Sequence, residues 1–290
     1  IKLIAPAANT NMLHSPITEQ NITNLQKANY TFIKTTSKEL ACQDVGDGAL
    51  ADVETIFHNT IREIYKDSYW ENRDVILNGG ASVEKIDDVR YISNFSSGKM
   101  ASSLALALFY KGANPHFIKF SNVNFEHENF IHTYQVTTSQ ESLDTTKNII
   151  SKLDTNKKPY FFGVAAISDY VLKNPIQGKL KKADLGQIWN LELEQNIDIL
   201  ANITNDTLYK IGFKAEYDET NAKTNACKAL ESKNLNAICL NLLTKNNFGS
   251  NTNEIEIITK DTTVSLKKAP KLDIAIQILQ TLQENNNESK

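Results

Sequence analysis

The chain has 290 residues, 41% of them hydrophobic, with 31 basic against 34 acidic side chains and a formal charge of -3. That length allows one large domain or two modest ones with a real core, and the balanced charge excludes a nucleic-acid binder that works by bulk basicity. Cys42, Cys227 and Cys239 form neither a disulfide framework nor a CxxC metal pattern, which points to a reducing, cytoplasmic setting, and no run of eighteen apolar residues exists to span a membrane.

In chain order, Lys2 to Ala5 reads as a short strand. A helix is expected from Ser15-Pro16, where Ser caps and Pro takes the first turn, through Ala28. Tyr30 to Lys34 reads as the next strand, and Val53 to Tyr65 as a helix with Ile56, Phe57, Ile61 and Ile64 at helical spacing. A polar linker, Lys66 to Arg73, precedes a new alternation. Asp74 to Leu77 is a buried strand ending in Asn78-Gly79-Gly80, and Lys99 to Lys111 is a helix closed by Gly112, with Leu104 to Tyr110 as one buried face. His116 to Phe120, Tyr160 to Ala165, Tyr209 to Phe213 and Ala237 to Asn241 read as strands. Ser139 to Asp154, Ile197 to Ile203 and Thr220 to Lys233 read as helices, with a short extended piece at Leu191 to Leu193. Glu254 to Thr259 and Thr263 to Lys267 form a hairpin, Lys271 to Gln283 the last helix, and Glu284 to Lys290 a polar tail. The alternation predicts an α/β fold: a Rossmann-like, doubly wound, mostly parallel sheet with an antiparallel addition at its end.

Ligands of open α/β sheets sit beyond the carboxyl ends of the strands, so three strand ends matter. Gly79 and Gly80 allow close backbone approach to a phosphate, although Gly-Gly is also an ordinary turn. Ser96-Ser97-Gly98-Lys99 opens an apolar helix, whose free N–H groups and dipole suit an anion, although a Ser N-cap with no ligand reads equally well from these residues. It is not a P-loop, because the earlier glycine falls at Ser93 and Met100 replaces Ser/Thr. Arg90 and Asn94 crowd polar groups into the loop before it. Ala165 and Ala166 end the third strand and let a substrate approach, while Asp169 with Lys179, Lys181 and Lys182 suits a nucleotide triphosphate and its magnesium, although KLKK taken alone reads better as a solvated charged loop. The histidines have no metal spacing, and no protein metal ligand is assigned. GxSxG and GxGxxG are both missing.

These residues carry a resemblance. IDDVRYISNFSSGKM (Ile86 to Met100), AAISDY (Ala165 to Tyr170), GKLKK (Gly178 to Lys182) and GFKAEY (Gly212 to Tyr217) resemble, in order and spacing, the phosphopantothenate–cysteine ligase family over roughly residues 72 to 283. APAANTNM (Ala5 to Met12) and ELACQDVGDG (Glu39 to Gly48) resemble the substrate motif and clamp of the phosphopantothenoylcysteine decarboxylases, which bacteria commonly fuse ahead of the ligase. The resemblance implies residues 1–67 as the C-terminal part of a flavodoxin-like, FMN-dependent domain, residues 68–283 as the ligase domain and 284–290 as a tail. It implies a start upstream of Ile1.

The ligase family activates the carboxylate of 4'-phosphopantothenate with CTP, releases pyrophosphate, and lets the amine of cysteine displace CMP. By resemblance Asn94 holds the acyl-cytidylate, Arg90 serves the second step and Lys182 stabilises charge as pyrophosphate leaves. Ala165, Asp169, Phe213 and Lys233 match nucleotide contacts, as does Asn196-Ile197-Asp198-Ile199, with Leu200 after it, where the family has NPDI. Gly79, Gly80, Ser96, Ser97, Gly98, Lys99 and Ala166 are expected around the substrate. In the decarboxylase part, Asn9 matches the residue that orients the substrate carboxylate and Cys42 the proton donor. The resemblance puts the family's His base and much of its FMN cradle upstream of Ile1, and Ala8 and Leu13 replace the motif's Met and Trp, Gln43 a Gly and Ala49 a basic residue, so FMN is not expected to be retained and this part alone is not expected to decarboxylate. A homodimer through the ligase domain, around Asn246 to Asn253 and the hairpin, is implied. The competing readings are a nucleotide-binding reductase, which lacks a YxxxK pair, and a non-catalytic nucleotide- or flavin-binding module, which leaves Asn94 and Lys182 without a task.

Overall fold

A computed structural model of the chain describes residues 1–39, 45–153, 157–181, 185–204, 206–246 and 249–288. Its contacts separate two compact units, one of Ile1–Glu71 with Tyr110–Gly112, the other of Asn72–Phe109 with Ala113–Lys290.

In the first unit, β1 (Leu3–Ile4) runs parallel to β2 (Thr31–Phe32). Between them lie α1 (Thr10–Leu13) and α2 (Pro16–Lys27). Ser15 caps α2 by accepting from the Thr18 N–H, with Pro16 in the first turn, where its missing N–H costs nothing. β3 (Thr36–Glu39) and β4 (Val45–Ala49) form a hairpin that the Gly-containing sequence does not announce. α3 (Val53–Tyr65) begins at Asp52, whose carboxylate accepts the Thr55 N–H at 2.7 Å. Phe57 and Ile64 on α3 are exposed, so its apolar spacing marks a face that is only partly covered.

The second unit is built on an eight-stranded sheet. Its strands in chain order are β5 (Asp74–Gly79), β8 (Asn114–Phe120), β9 (His132–Val136), β10 (Tyr160–Gly163), β13 (Tyr209–Glu216), β14 (Ala237–Leu242), β15 (Thr252–Thr259) and β16 (Thr263–Pro270). Their spatial order is β16-β15-β14-β13-β10-β5-β8-β9. The six strands from β9 to β14 are parallel, and β15 and β16 are added antiparallel. This is the doubly wound α/β fold expected from the alternation. The chain starts at the centre with β5, moves outward to β8 and β9, then returns to the other side of β5 with β10.

Register shows which helices cover which face. Ile76 pairs with Phe161, and Phe161 with Lys210, so these side chains share one face. On it pack α5 (Ser139–Ile150) and α6 (Ile199–Asn202), in a cluster with Ile76, Ile118, Phe161, Leu143 and Ile199. α7 (Ala222–Ser232) packs on the same face further along, through Ala226 and Leu230 against Ile238 and Leu240. α4 (Lys99–Tyr110) and α8 (Lys271–Glu288) take the opposite face. A Cβ on Gly79 would lie 2.2 Å from the Ala101 Cβ, and Asn286 donates to the Tyr160 hydroxyl at 2.7 Å. α4 is buried on more than the single face its sequence suggested, since Leu104, Ala105, Ala107, Leu108 and Phe109 are all covered.

Two small hairpins decorate the carboxyl edge of this sheet. β6 (Val83–Lys85) pairs with β7 (Tyr91–Ser93), and β11 (Tyr170–Leu172) with β12 (Leu193–Gln195). At the extreme end α8 runs from Lys271 to Glu288, into the segment read as tail.

Candidate functional site

The order in which parallel strands are added reverses between β5 and β10, the position where an open α/β sheet leaves a crevice. The Asn78 side chain ties the two strand ends together there. It is buried, and its Oδ1 accepts from the Val164 and Ala165 N–H groups at 2.9 and 3.0 Å, just where the β5–β10 ladder stops. Beyond it the two loops zip together. Ala166 N–H donates to Gly80 O at 2.9 Å, Ser82 N–H to Ala166 O at 3.2 Å, and Ser168 N–H to Ser82 Oγ at 3.0 Å.

Gly80 (φ +103°) and Gly98 (φ +68°) both have left-handed backbone, and a Cβ on either would lie within 2.5 Å of Val123 Cγ2. Only glycine allows both turns to close on Val123. Asn122 joins them, accepting from the Ala81 N–H at 3.0 Å and donating to Ser96 O at 2.8 Å. Gly79, by contrast, serves the close packing of α4 on β5 and lines none of the three cavities at this edge.

The first cavity, about 200 Å³, is lined by Gly80, Ser96, Ser97, Gly98, Lys99, Ala165, Ala166 and Phe213. Its further walls are Lys214, Asn246, Thr252, Asn253 and Lys271. Lys99 Nζ donates to Gly249 O and Asn251 Oδ1, and Lys271 Nζ donates to Ser250 O. Burial, and secondarily the charge of Lys99, pushes the Lys271 ammonium below its ordinary value. Lys99, Lys214, Lys271 and the first turn of α4 thus make this cavity electropositive.

The second cavity, about 510 Å³, is lined by Asn78, Ala165, Asp169, Asn196, Ile197, Asp198, Ile199, Leu200, Phe213 and Lys233. Lys233 and Asp198 meet there at 2.7 Å. Asp198 also caps α6, accepting from the Ala201 N–H at 3.1 Å. Asn196 is anchored below, donating to Ser168 O at 2.7 Å while its own oxygen accepts from Ser139 Oγ at 3.0 Å. A third cavity of about 560 Å³ continues from it past Ser93, Asn94, Phe95 and Lys214. Ala165 and Phe213 line all three, so they form the seam between the electropositive cavity and the one holding Asp198 and Lys233. Asn94 is exposed on the wall of the third cavity, donating to Ile167 O at 2.9 Å.

Arg90 lines none of these cavities. Its guanidinium donates to Asp87 Oδ2 and Leu180 O and stacks over the Trp189 ring, 4.5 Å from the centroid. Asp87 Oδ2 also accepts from the Leu180 N–H, and Asp88 Oδ2 from the Gly178 N–H at 2.9 Å. The β6–β7 hairpin therefore grips the loop carrying Lys179 and Lys181. Lys182 lies outside the described residues, as does Cys42 in the first unit. In that unit Asn9 caps α1, its side-chain oxygen accepting from the Asn11 N–H at 2.9 Å. Ala8 N–H donates to Gly48 O at 2.9 Å, bringing the loop against β4.

Asn78, Asn122, Lys214 and Lys271 join the site without a role having been assigned to them from sequence, and Asn246, read there as part of a dimer segment, lines the first cavity. An Asn directly after a strand core was the one available signal. Lys271 is far from every motif and reaches the site only because α8 begins beside the loop at 249–251.

The sequence model of the DNA/pantothenate metabolism flavoprotein C-terminal domain matches residues 70–285, and that of the flavoproteins matches residues 2–65. The coenzyme A biosynthesis bifunctional protein CoaBC of Haemophilus influenzae is 30% identical over 97% of this chain and 69% of its own length. Its Borreliella burgdorferi namesake is 30% identical over 96% of this chain and 70% of its own. Among solved structures, the C-terminal domain of a CoaBC superposes with a TM-score of 0.62 at 26% identity, covering 77% of this chain and all of that domain. The chain belongs to the DNA/pantothenate metabolism flavoprotein family, that of the bifunctional coenzyme A biosynthesis proteins.

Proposed function

We propose that the chain joins 4'-phosphopantothenate to cysteine through an acyl-cytidylate formed from CTP. The observation that carries this reading is the pair of unlike cavities meeting at Ala165 and Phe213. The electropositive one, with Ser96 to Lys99 and Lys271, suits the phosphate of the acid substrate. The one lined by Asp169, Asn196 to Leu200 and Lys233 suits the nucleotide. Their seam then holds the substrate carboxylate beside the nucleotide α-phosphate, within reach of Asn94.

A carboxylate is a poor acyl donor, so activation precedes amide formation. The carboxylate oxygen attacks the α-phosphorus and the bond to the β-phosphate oxygen breaks, releasing pyrophosphate. The cysteine amine then attacks the acyl carbon, the acyl–oxygen bond breaks, and CMP departs with that oxygen while the amine loses its proton. Fixed donors such as Asn94 Nδ2 stabilise the charge that develops, and Lys182 is the cation assigned to the leaving pyrophosphate. Arg90 acts through the loop it grips, setting where Lys179 and Lys181 stand.

Among the described residues no group of three or more His, Cys, Asp or Glu converges on a metal site. Magnesium bound to nucleotide phosphates needs only one or two protein carboxylates, and Asp169, on the wall of both nucleotide cavities, is placed to supply one. The flavoprotein part of the family brings FMN, which supplies redox chemistry when bound. In the first unit Ala8 and Ala49 stand where the related pattern has Met and a basic residue, and Ala8 packs its backbone against Gly48. These positions belong to the related substrate motif and clamp, and with Cys42 outside the described residues no decarboxylation step is assigned to this chain. A homodimer through the segment at 246–253 and the β15–β16 hairpin completes the proposal, checked by sedimentation.

The test is release of pyrophosphate from CTP that requires 4'-phosphopantothenate, followed by release of CMP that requires cysteine. Absence of both products with CTP and with ATP overturns the reading. Asn94→Asp is expected to slow CMP release on the order of a hundredfold; normal turnover would remove Asn94 from its role.

A further inference from the structure

Lys210, the second residue of β13, is 7% exposed, and no step of the proposed reaction uses it. Lysine is among the residues least often buried, because its ammonium gives up a strong hydration shell. Its in-register pairing with Phe161 points the side chain to the face covered by α5, α6 and α7. There the ammonium donates to two carbonyls, each at 3.0 Å. One belongs to Ile203, the C-cap of α6, and the other to Lys233, the C-cap of α7.

Carbonyls at helix ends have no intrahelical donor and carry the negative end of the peptide dipoles, so one buried cation serves both. Burial lowers the Lys210 pKa, while the charges of Asp206 and Asp198 act in the opposite direction. The backbone beneath is fixed as well: Lys210 N–H donates to Asn236 Oδ1 and Asn236 N–H to Lys210 O, both at 2.8 Å.

The two helix ends are those that carry the charged pair of the second cavity. α6 has four residues, too few to hold its place by its own hydrogen bonds. Asp198 fixes its first turn and Lys210 its last carbonyl. Lys233 is itself the residue whose carbonyl Lys210 holds. We propose that Lys210 is a positioning residue of the nucleotide site, tying the ends of α6 and α7 together so that Asp198 and Lys233 face the incoming nucleotide already paired. This rests on the reading that the second cavity takes CTP.

Calorimetric titration of the full chain and of Lys210→Met with CTP, and separately with 4'-phosphopantothenate, tests it. The expected result is CTP binding weakened about tenfold, with 4'-phosphopantothenate binding within about twofold of the parent. Lys233→Met alone is expected to weaken CTP binding about tenfold, but by less than about threefold in the Lys210→Met background, because the two act as one unit. CTP binding unchanged by Lys210→Met, additive effects, or equal weakening of both ligands would each overturn the inference. If Lys210→Met does not fold, Lys210→Gln, which keeps N–H donors, carries the same readings. A chain that folds with neither makes Lys210 a folding residue and overturns the assignment too. Failure of the parent chain to bind CTP defeats the nucleotide reading itself and this inference with it, whereas parent binding without these differences defeats this inference alone.

Discussion

Single residues set the local electrostatics, and two of them give pH signatures. His14 lies between Asp47 Oδ2, 2.8 Å from its Nε2, and Glu19 Oε1, 3.4 Å from its Nδ1. The hydrogen bond to Asp47, then that to Glu19, raise the imidazole above its ordinary value. Stability from this contact is therefore full below the unfolded pKa and lost as pH rises through the folded one. NMR titration should find His14 above 6.5 and Asp47→Asn should bring it down; an unmoved titration would remove the contact. Asp87 runs the other way. Hydrogen bonds from Arg90, then from backbone N–H groups of Val89, Arg90 and Leu180, hold its carboxyl well below the usual carboxylate range against its burial. That contribution is present above the unfolded value and disappears as pH falls through the depressed one. Asp87→Asn should release the loop at 178–181, lowering kcat several-fold while leaving the affinity of the first cavity for 4'-phosphopantothenate within about twofold; unchanged kcat would show the grip to be unimportant. At this scale the sequence was partly legible. Asn94, Asp169, Asp198, Phe213 and Lys233 do line the cavities at one sheet edge. Arg90 does not, because its place is decided by Asp87, Leu180 and Trp189, and nothing in the local string records those contacts.

Elements follow local signals where those signals are strong. α5 begins where a capping box predicts: Thr138 Oγ1 accepts the Glu141 N–H, and Glu141 reaches back to the Thr138 N–H. The β15–β16 hairpin is legible because alternation over two eight-residue strands brackets a polar turn. β6–β7 and β11–β12 are three-residue strands; their pairing is set by tertiary contacts, too short to leave a period in the sequence. The start of α4 tests whether the backbone of the first cavity is as constrained as its glycines imply. Gly98→Ala must adopt φ +68° and bring its Cβ 2.4 Å from Val123 Cγ2. It should lose about 1–3 kcal/mol of stability by denaturant titration, and a neutral result would mean that the turn relaxes cheaply. For the first unit, the purified chain should carry no flavin absorbance band, and a co-purifying band would contradict the expectation that FMN is not retained.

The whole second unit is a sheet whose chain order places its crevice between β5 and β10, with cavities at the carboxyl edge and helices on both faces. The alternation of strands and helices made that architecture legible, but the strand order is a tertiary fact. So is the arrival of Lys271, from the last helix, beside the first turn of α4. The central claim is that the carboxylate and the α-phosphate join across the seam of the two cavities. Oxygen-18 in the carboxylate of 4'-phosphopantothenate follows that bond directly. Turnover with CTP and cysteine should place one labelled oxygen in the phosphate of CMP and none in pyrophosphate. Label in inorganic phosphate with CDP as co-product, or unlabelled CMP, would contradict the account.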